Sequence, residues 1–190
     1  MTIANFFGFC LTTAATALAT ATGCIGSRAM SLSAAECIVE RVIDGDTLTC
    51  EDGERVRLLL IDTPEMDQGD FGRRARRYLL ELAPPGTALR LERDVQMQDR
   101  YGRTLAYLYT PDGRMLNEEM ARAGFAVALV YPPNVRYVER IRKAVKAARE
   151  AGLGLWATSA FECAPVDHRT GRCGGNERGG PEARRGSWGS

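Results

Sequence analysis

Apolar residues at both ends of CIVERVI, Cys37 to Ile43, enclose Glu40-Arg41, and the segment reads as a strand. DGDT then turns the chain, Leu48 to Cys50 begins the return, and EDGE at 51–54 makes a second tight turn into a strand at Arg55 to Ile61. These three strands form a meander. The third carries the run LLLI, which suits a sheet covered on both faces, and the segment stops at Pro64, which has no N–H for a ladder and holds its predecessor extended. A polar, Gly-bearing loop at 66–72 follows. In RRARRYLLELA the apolar side chains fall at helical spacing ahead of Pro84-Pro85-Gly86, which predicts a helix at about 73–83. TALRLERDV (Thr87 to Val95) and TLAYLY (Thr104 to Tyr109) read as two more strands. PDG at 111–113 turns into RMLNEEMARAG, a short amphipathic helix with Gly124 as its C-cap. Phe125 to Tyr131 is an extended apolar run, and a last helix is expected at about 135–151.

Five strands with a helix between the third and fourth is the order of a five-stranded OB-fold barrel with three helices, an α+β arrangement. Fold alone does not name an activity. At 190 residues the chain holds one domain of ordinary size with tails. The expected divisions are a signal segment at 1–23, a linker at 24–36, the barrel domain at 37–157, and a Cys loop with a disordered tail at 158–190.

Charge narrows the possibilities little. Lys+Arg 25 against Asp+Glu 24 leaves a net charge of +1, so phosphate binding must come from local clusters and not from bulk charge. The first 23 residues carry no charged side chain and end in small residues, with Ala17-Leu18-Ala19 and Ala19-Thr20-Ala21 both offering A-x-A cleavage sites. An export signal is the expectation, which places the mature protein outside the cell, in a periplasm, or lipid-anchored at the envelope. Cys24, after Ala21-Thr22-Gly23, resembles a degenerate lipobox and is the candidate lipid-anchor position. Cys37, Cys50, Cys163 and Cys173 fall into two local pairs. A hairpin turned at 43–46 sets Cys37 across from Cys50, and Cys163 with Cys173 closes a loop in the tail. A zinc site fits poorly, since there is no CxxC spacing and the only histidine is His168.

Neither His nor Ser occurs between Cys37 and Ala157, which removes a Ser-His-Asp mechanism from that stretch. What remains is carboxylate and guanidinium: Asp44 and Asp46 in one turn, Asp62 and Glu65 at the end of the third strand, Arg57 near its start, and Arg103 ahead of the fifth. Phosphodiester hydrolysis needs charge neutralised on five-coordinate phosphorus and a water aimed in line with the leaving oxygen. A hard cation on oxygen ligands and bidentate arginines can do the first, and a carboxylate the second.

VIDGDT (Val42 to Thr47), RLLLIDTPE (Arg57 to Glu65), DRYGRTLAYLY (Asp99 to Tyr109) and LNEEMARAGFA together resemble the staphylococcal-nuclease, or thermonuclease-like, family in order and spacing, from about Cys37 to Trp156. The resemblance implies a calcium-dependent endonuclease that cleaves DNA and RNA to leave 3′-phosphates. By motif position it makes Asp46 and Asp62 calcium carboxylates, with the Thr63 carbonyl as a further ligand. Arg57 and Arg103 become phosphate-clamping arginines and Glu65 the residue assigned as general base. Tyr101 and Tyr131 correspond to pocket aromatics, and Arg100 stands where the family carries a Lys. Leu129 replaces another pocket Tyr, and the loop after Glu65 is acidic-polar where the archetype is Lys-rich, a loss that Arg73 to Arg77 are placed to offset. The competing reading is a non-catalytic nucleic-acid-binding barrel. Retention of all five charged positions favours the enzyme. No protein partner is called for, and a monomer is expected.

Overall fold

The computed structural model describes residues 35–173. The signal segment at 1–23, Cys24, most of the linker and the tail beyond Cys173 lie outside the described residues.

Strands β1 (Glu36–Val42), β2 (Thr47–Cys50) and β3 (Arg55–Leu58) form the expected antiparallel meander. Two more strands, β5 (Ala88–Gln98) and β6 (Thr104–Tyr109), close it into a barrel of order β1-β2-β3-β6-β5. The closing pair, β3 with β6, is parallel, with Val56 opposite Thr104 and Arg57 opposite Leu105. Inward side chains, among them Val39, Leu48, Val56, Leu58, Leu89, Ala106 and Leu108, are fully buried and fill the barrel interior. In the β1–β2 ladder Cys50 faces Val39, and a bulge follows between Val39 and Arg41. The Cys37–Cys50 disulfide crosses this ladder diagonally, with a Cα separation of 5.3 Å.

One strand does not run as its hydrophobic pattern suggests. The segment from Arg55 to Ile61 is broken at Leu59 and Leu60, and Leu60 takes a left-handed φ of 65°. Leu59 still donates its N–H to Ala106 O, after which the chain leaves the barrel as β4 (Ile61–Asp62). Asp62 there faces Val127 in β7 (Val127–Ala128), the only part of the 125–131 run in a strand. A buried side chain holds the break: Asn117 Nδ2 donates to Leu59 O (2.9 Å) and Ala106 O (3.2 Å), and Asn117 Oδ1 accepts from Leu108 N–H (3.1 Å).

Helix α1 (Asp70–Leu82) begins three residues before its expected start, with Asp70 in the first turn. Helices α2 (Leu116–Arg122) and α3 (Val138–Glu150) lie within their expected segments. These are the three helices expected of the barrel domain; a further one, α4 (Pro165–Arg169), folds inside the Cys163–Cys173 ring, where the composition suggested only a loop before disorder. Proline at its first turn starts it and the disulfide confines it. Among the described residues no helix is long and apolar enough to cross a membrane.

Candidate active site

Three pieces of chain meet where β3 and β4 leave the barrel. The first is the DGDT turn. Asp44 Oδ1 accepts from Asp46 N–H at 2.9 Å, an Asx turn that directs the Asp46 carboxylate inward. The Asp46 carbonyl accepts from Leu58 N–H at 2.8 Å, which sets the turn beside Arg57. The second piece is the β4 end, where Thr63 gives both its N–H (2.9 Å) and its hydroxyl (3.0 Å) to Asp46 Oδ2. A Cβ on Gly45 would lie 2.6 Å from Thr63 Oγ1 and 2.8 Å from Ala75 Cβ, so only glycine lets the turn pack against β4 and α1. The third is the first turn of α1. A Cβ on Gly72 would stand 2.2 Å from the Glu65 carbonyl oxygen, and this close approach fixes the loop that carries Glu65. Gln68 secures the same loop by accepting the Glu65 N–H at 2.7 Å.

Arg57 bridges the first two pieces. Its Nε lies 2.9 Å from Asp46 Oδ1 and its Nη2 3.1 Å from Asp62 Oδ1. Asp62 is fully buried and Asp46 nearly so. Burial pushes the Asp62 carboxyl up from its ordinary range and the charge of Asp46 adds to this, while hydrogen bonding from Arg169 and the charges of Arg57 and Arg169 pull it back. Asp44 is raised to about 6, first by burial and then by Asp46, against the opposing Asp46 N–H, Arg57 and Thr47. A cation at this buried cluster would counter the upward push that burial, and then Asp46, gives Asp44 and Asp62. Its donors are all oxygens with no thiolate or imidazole, which fits a hard divalent cation such as calcium. The acidic group at Cys50, Asp52 and Glu54 is a poorer match, because the Cys50 sulfur is taken up by the disulfide.

Asp46, Arg57, Asp62, Thr63 and Glu65 therefore share one neighbourhood, as the motif spacing suggests. Arg103 has a partner of its own: its Nε and Nη2 both lie 2.7 Å from Asp99 Oδ2. Burial pushes Asp99 up, but hydrogen bonds from the Arg103 side chain and from the N–H groups of Arg103 and Tyr101 outweigh it and hold the carboxyl below its usual range. Tyr101 and Tyr131 are about two-thirds exposed, at 65% and 64%. Arg100 stacks over the Tyr101 ring at 4.8 Å and bonds to its hydroxyl. Two of the α1 arginines are engaged in the fold, since Arg76 donates to Val42 O at 3.0 Å and Arg74 reaches Gly154 O at 3.5 Å. They do not replace a basic loop after Glu65.

The profile of the family described as "Staphylococcal nuclease homologue" matches residues 55–158. The chain belongs to this family. Its curated relatives include the Thermonuclease of Staphylococcus intermedius, 40% identical over 127 residues, spanning 63% of this chain and 74% of that protein. The Thermonuclease of Staphylococcus hyicus is 39% identical over 131 residues, with the same shares of 63% and 74%. Endonuclease YncB of Bacillus subtilis is 37% identical over 133 residues, 65% of this chain and 62% of that protein. The closed barrel with its packed helices is consistent with the staphylococcal-nuclease fold. The profile match starts at Arg55 and stops at Thr158, so Asp46 precedes it and the α4 ring follows it. The structure joins both to the segment between.

Arg169, on α4, is the residue that sequence reasoning missed. Its Nη1 lies 2.9 Å from Asp62 Oδ1, its Nη2 3.0 Å from Asp62 Oδ2, and Nη1 also meets Glu65 Oε1 at 2.5 Å. Only the Cys163 and Cys173 spacing hinted that this part of the tail was ordered.

Proposed function

We propose that this member of the staphylococcal-nuclease family is a calcium-dependent endonuclease that hydrolyses phosphodiester bonds of DNA and RNA and leaves 3′-phosphates. The observation that carries the reading is the buried network of Asp46, Arg57, Asp62 and Thr63 with Glu65 at its edge, in a chain 40% identical to a thermonuclease. Asp46, Asp62 and the Thr63 carbonyl are the residues that would hold the cation. Calcium there would supply positive charge for a phosphate oxygen.

This chain's own residues do the rest. Arg57 is pre-aimed by two carboxylates, so its planar fork meets a phosphate without first being ordered. Arg103, oriented by Asp99, offers a second guanidinium for the charge that grows on phosphorus. Glu65 lies at the open side of the cluster and is placed to orient a water and take its proton. Exposed Tyr101 and Tyr131, with Arg100, present faces on which unstacked bases can rest, which suits single-stranded or frayed substrate. A binding module without catalysis would need no arginine held by buried Asp46 and Asp62.

The deciding experiment is cleavage of single-stranded DNA in calcium and then in excess EGTA. Loss of cleavage in chelator is expected, and full activity there would overturn the calcium requirement. Export belongs to the same proposal and rests on residues 1–23. A reporter fused to residues 1–36 should cross the inner membrane, and palmitate incorporation that depends on Cys24 would separate anchoring from secretion. A reporter retained in the cytoplasm would refute export.

A further inference from the structure

Arg169 binds the oxygens that a metal ion would need. Its fork takes both oxygens of fully buried Asp62 and reaches Glu65, which is the bidentate, charge-assisted geometry in which Arg holds a carboxylate most firmly. Nothing about the segment is loosely placed. It is closed on itself by Cys163–Cys173, and His168 Nε2 meets Asp67 Oδ1 at 3.0 Å. Its approach is fixed by Trp156 packing on Phe161 at 4.3 Å and by buried Ala160. Arg172, close by in the same ring, is turned away onto Asp167, at 2.8 Å from its Nε.

We propose that the disulfide-closed C-terminal loop is an autoinhibitory latch in which Arg169 competes as a tethered cation with the divalent metal for Asp62 and at the same time occupies Glu65. This rests on the calcium reading above and adds a regulation to that site. Metal and guanidinium cannot both occupy the two Asp62 oxygens, so cation entry requires the loop to withdraw. Because Arg169 belongs to the same chain, its effective concentration at Asp62 is set by a short ring and not by solution. A half-buried bidentate pair of this kind weakens apparent metal affinity on the order of 10- to 100-fold. An alternative role, Arg169 as a third phosphate ligand, is separated from the latch by the cleavage rate at saturating calcium.

The test is calorimetric titration of the full chain with calcium, without substrate, comparing the parent with Arg169→Ala, with Cys163→Ser/Cys173→Ser, and with Arg172→Ala. The paired serine variant keeps every charge and the Cys37–Cys50 bond but opens the ring. The latch predicts about tenfold or tighter calcium binding in the first two variants and parental binding in Arg172→Ala. In parallel, Arg169→Ala should cleave faster at low calcium and at the parental rate once calcium saturates. Unchanged or weaker calcium binding in Arg169→Ala, with the parent binding normally, would overturn the latch and leave the calcium reading standing. Tightening in Arg169→Ala but not in the serine variant would show a charge effect without a tether and overturn it too. Slower cleavage of Arg169→Ala at saturating calcium would assign Arg169 to substrate. A parent that binds no calcium yet cleaves in EGTA would defeat the calcium reading itself, and the latch with it. Melting curves of each variant confirm that it is folded.

Discussion

Replacing Asn117 by Ala tests how the site is framed. Asn117 is fully buried and serves three backbone groups: Leu108 N–H, Leu59 O and Ala106 O. After truncation Ala106 O still accepts from Leu59 N–H at 3.0 Å, so two groups lose their partner, Leu108 N–H and Leu59 O. Each buried orphan costs about 1–3 kcal/mol, and a water entering the vacated space relieves part of this, so the expected loss is about 3 kcal/mol. Leu59 opens the break at which Leu60 turns left-handed and Asp62 is delivered to the cluster. A loosened break should therefore slow cleavage as well, on the order of 10- to 100-fold, as small misplacements of aligned groups do. Urea unfolding under non-reducing conditions gives the first quantity and single-turnover cleavage at saturating calcium the second. A loss below about 1 kcal/mol with an unchanged m-value would refute the reasoning, since it would mean that the two backbone groups find other partners.

Arg57→Lys keeps a charge but cannot span Asp46 and Asp62 at once, and Glu65→Gln removes a base; each should slow single-turnover cleavage on the order of 10²- to 10⁴-fold with little loss of binding, and rates within a few-fold of the parent would defeat the catalytic assignment. Removing the Cys37–Cys50 bond, which closes a sequence separation of 13, should lower stability by about 3 kcal/mol in urea, and peptide mapping that finds both thiols free in the parent would dismiss the idea. Asp44 titrates at about 6 when folded against an ordinary 3.8, so the folded state binds this proton more tightly, and metal-free stability should fall as pH rises between those values and stay reduced above them. Asp44→Asn keeps the acceptor for the Asp46 N–H and should raise the urea midpoint in EGTA at about pH 7 but not at about pH 4; equal midpoints at about pH 7 would contradict the sign.

The barrel was legible because two periods dominate its sequence. Alternation in TALRLERDV marks a strand, and the RRARRYLLELA spacing marks α1 to within three residues. The Leu59–Leu60 break was not, because LLLI is equally apolar whether it runs straight or folds out. Asn117 and the β7 pairing cause the break, and both come from far along the chain. At the site, motif spacing located the residues that share a turn or a strand end. It could not reveal that Arg103 is paired with Asp99, since that pairing is a matter of side-chain orientation. Arg169 was invisible for a plainer reason: it lies 107 positions from Asp62, in a Cys-closed loop whose sequence carries no sign of what it packs against.

The parallel β3–β6 pair has a cost during synthesis. Antiparallel neighbours can zip from a hairpin, but β3 must wait for β6 to emerge, and β1 waits for β5. Until Tyr109 has been made, the nascent meander carries open edges on both sides, and open edges are templates for pairing between chains. Premature termination or nicking ahead of that residue therefore leaves no half-barrel that can stay in solution. The lesion would be felt first as aggregate and lost yield, well before any question of catalysis arose.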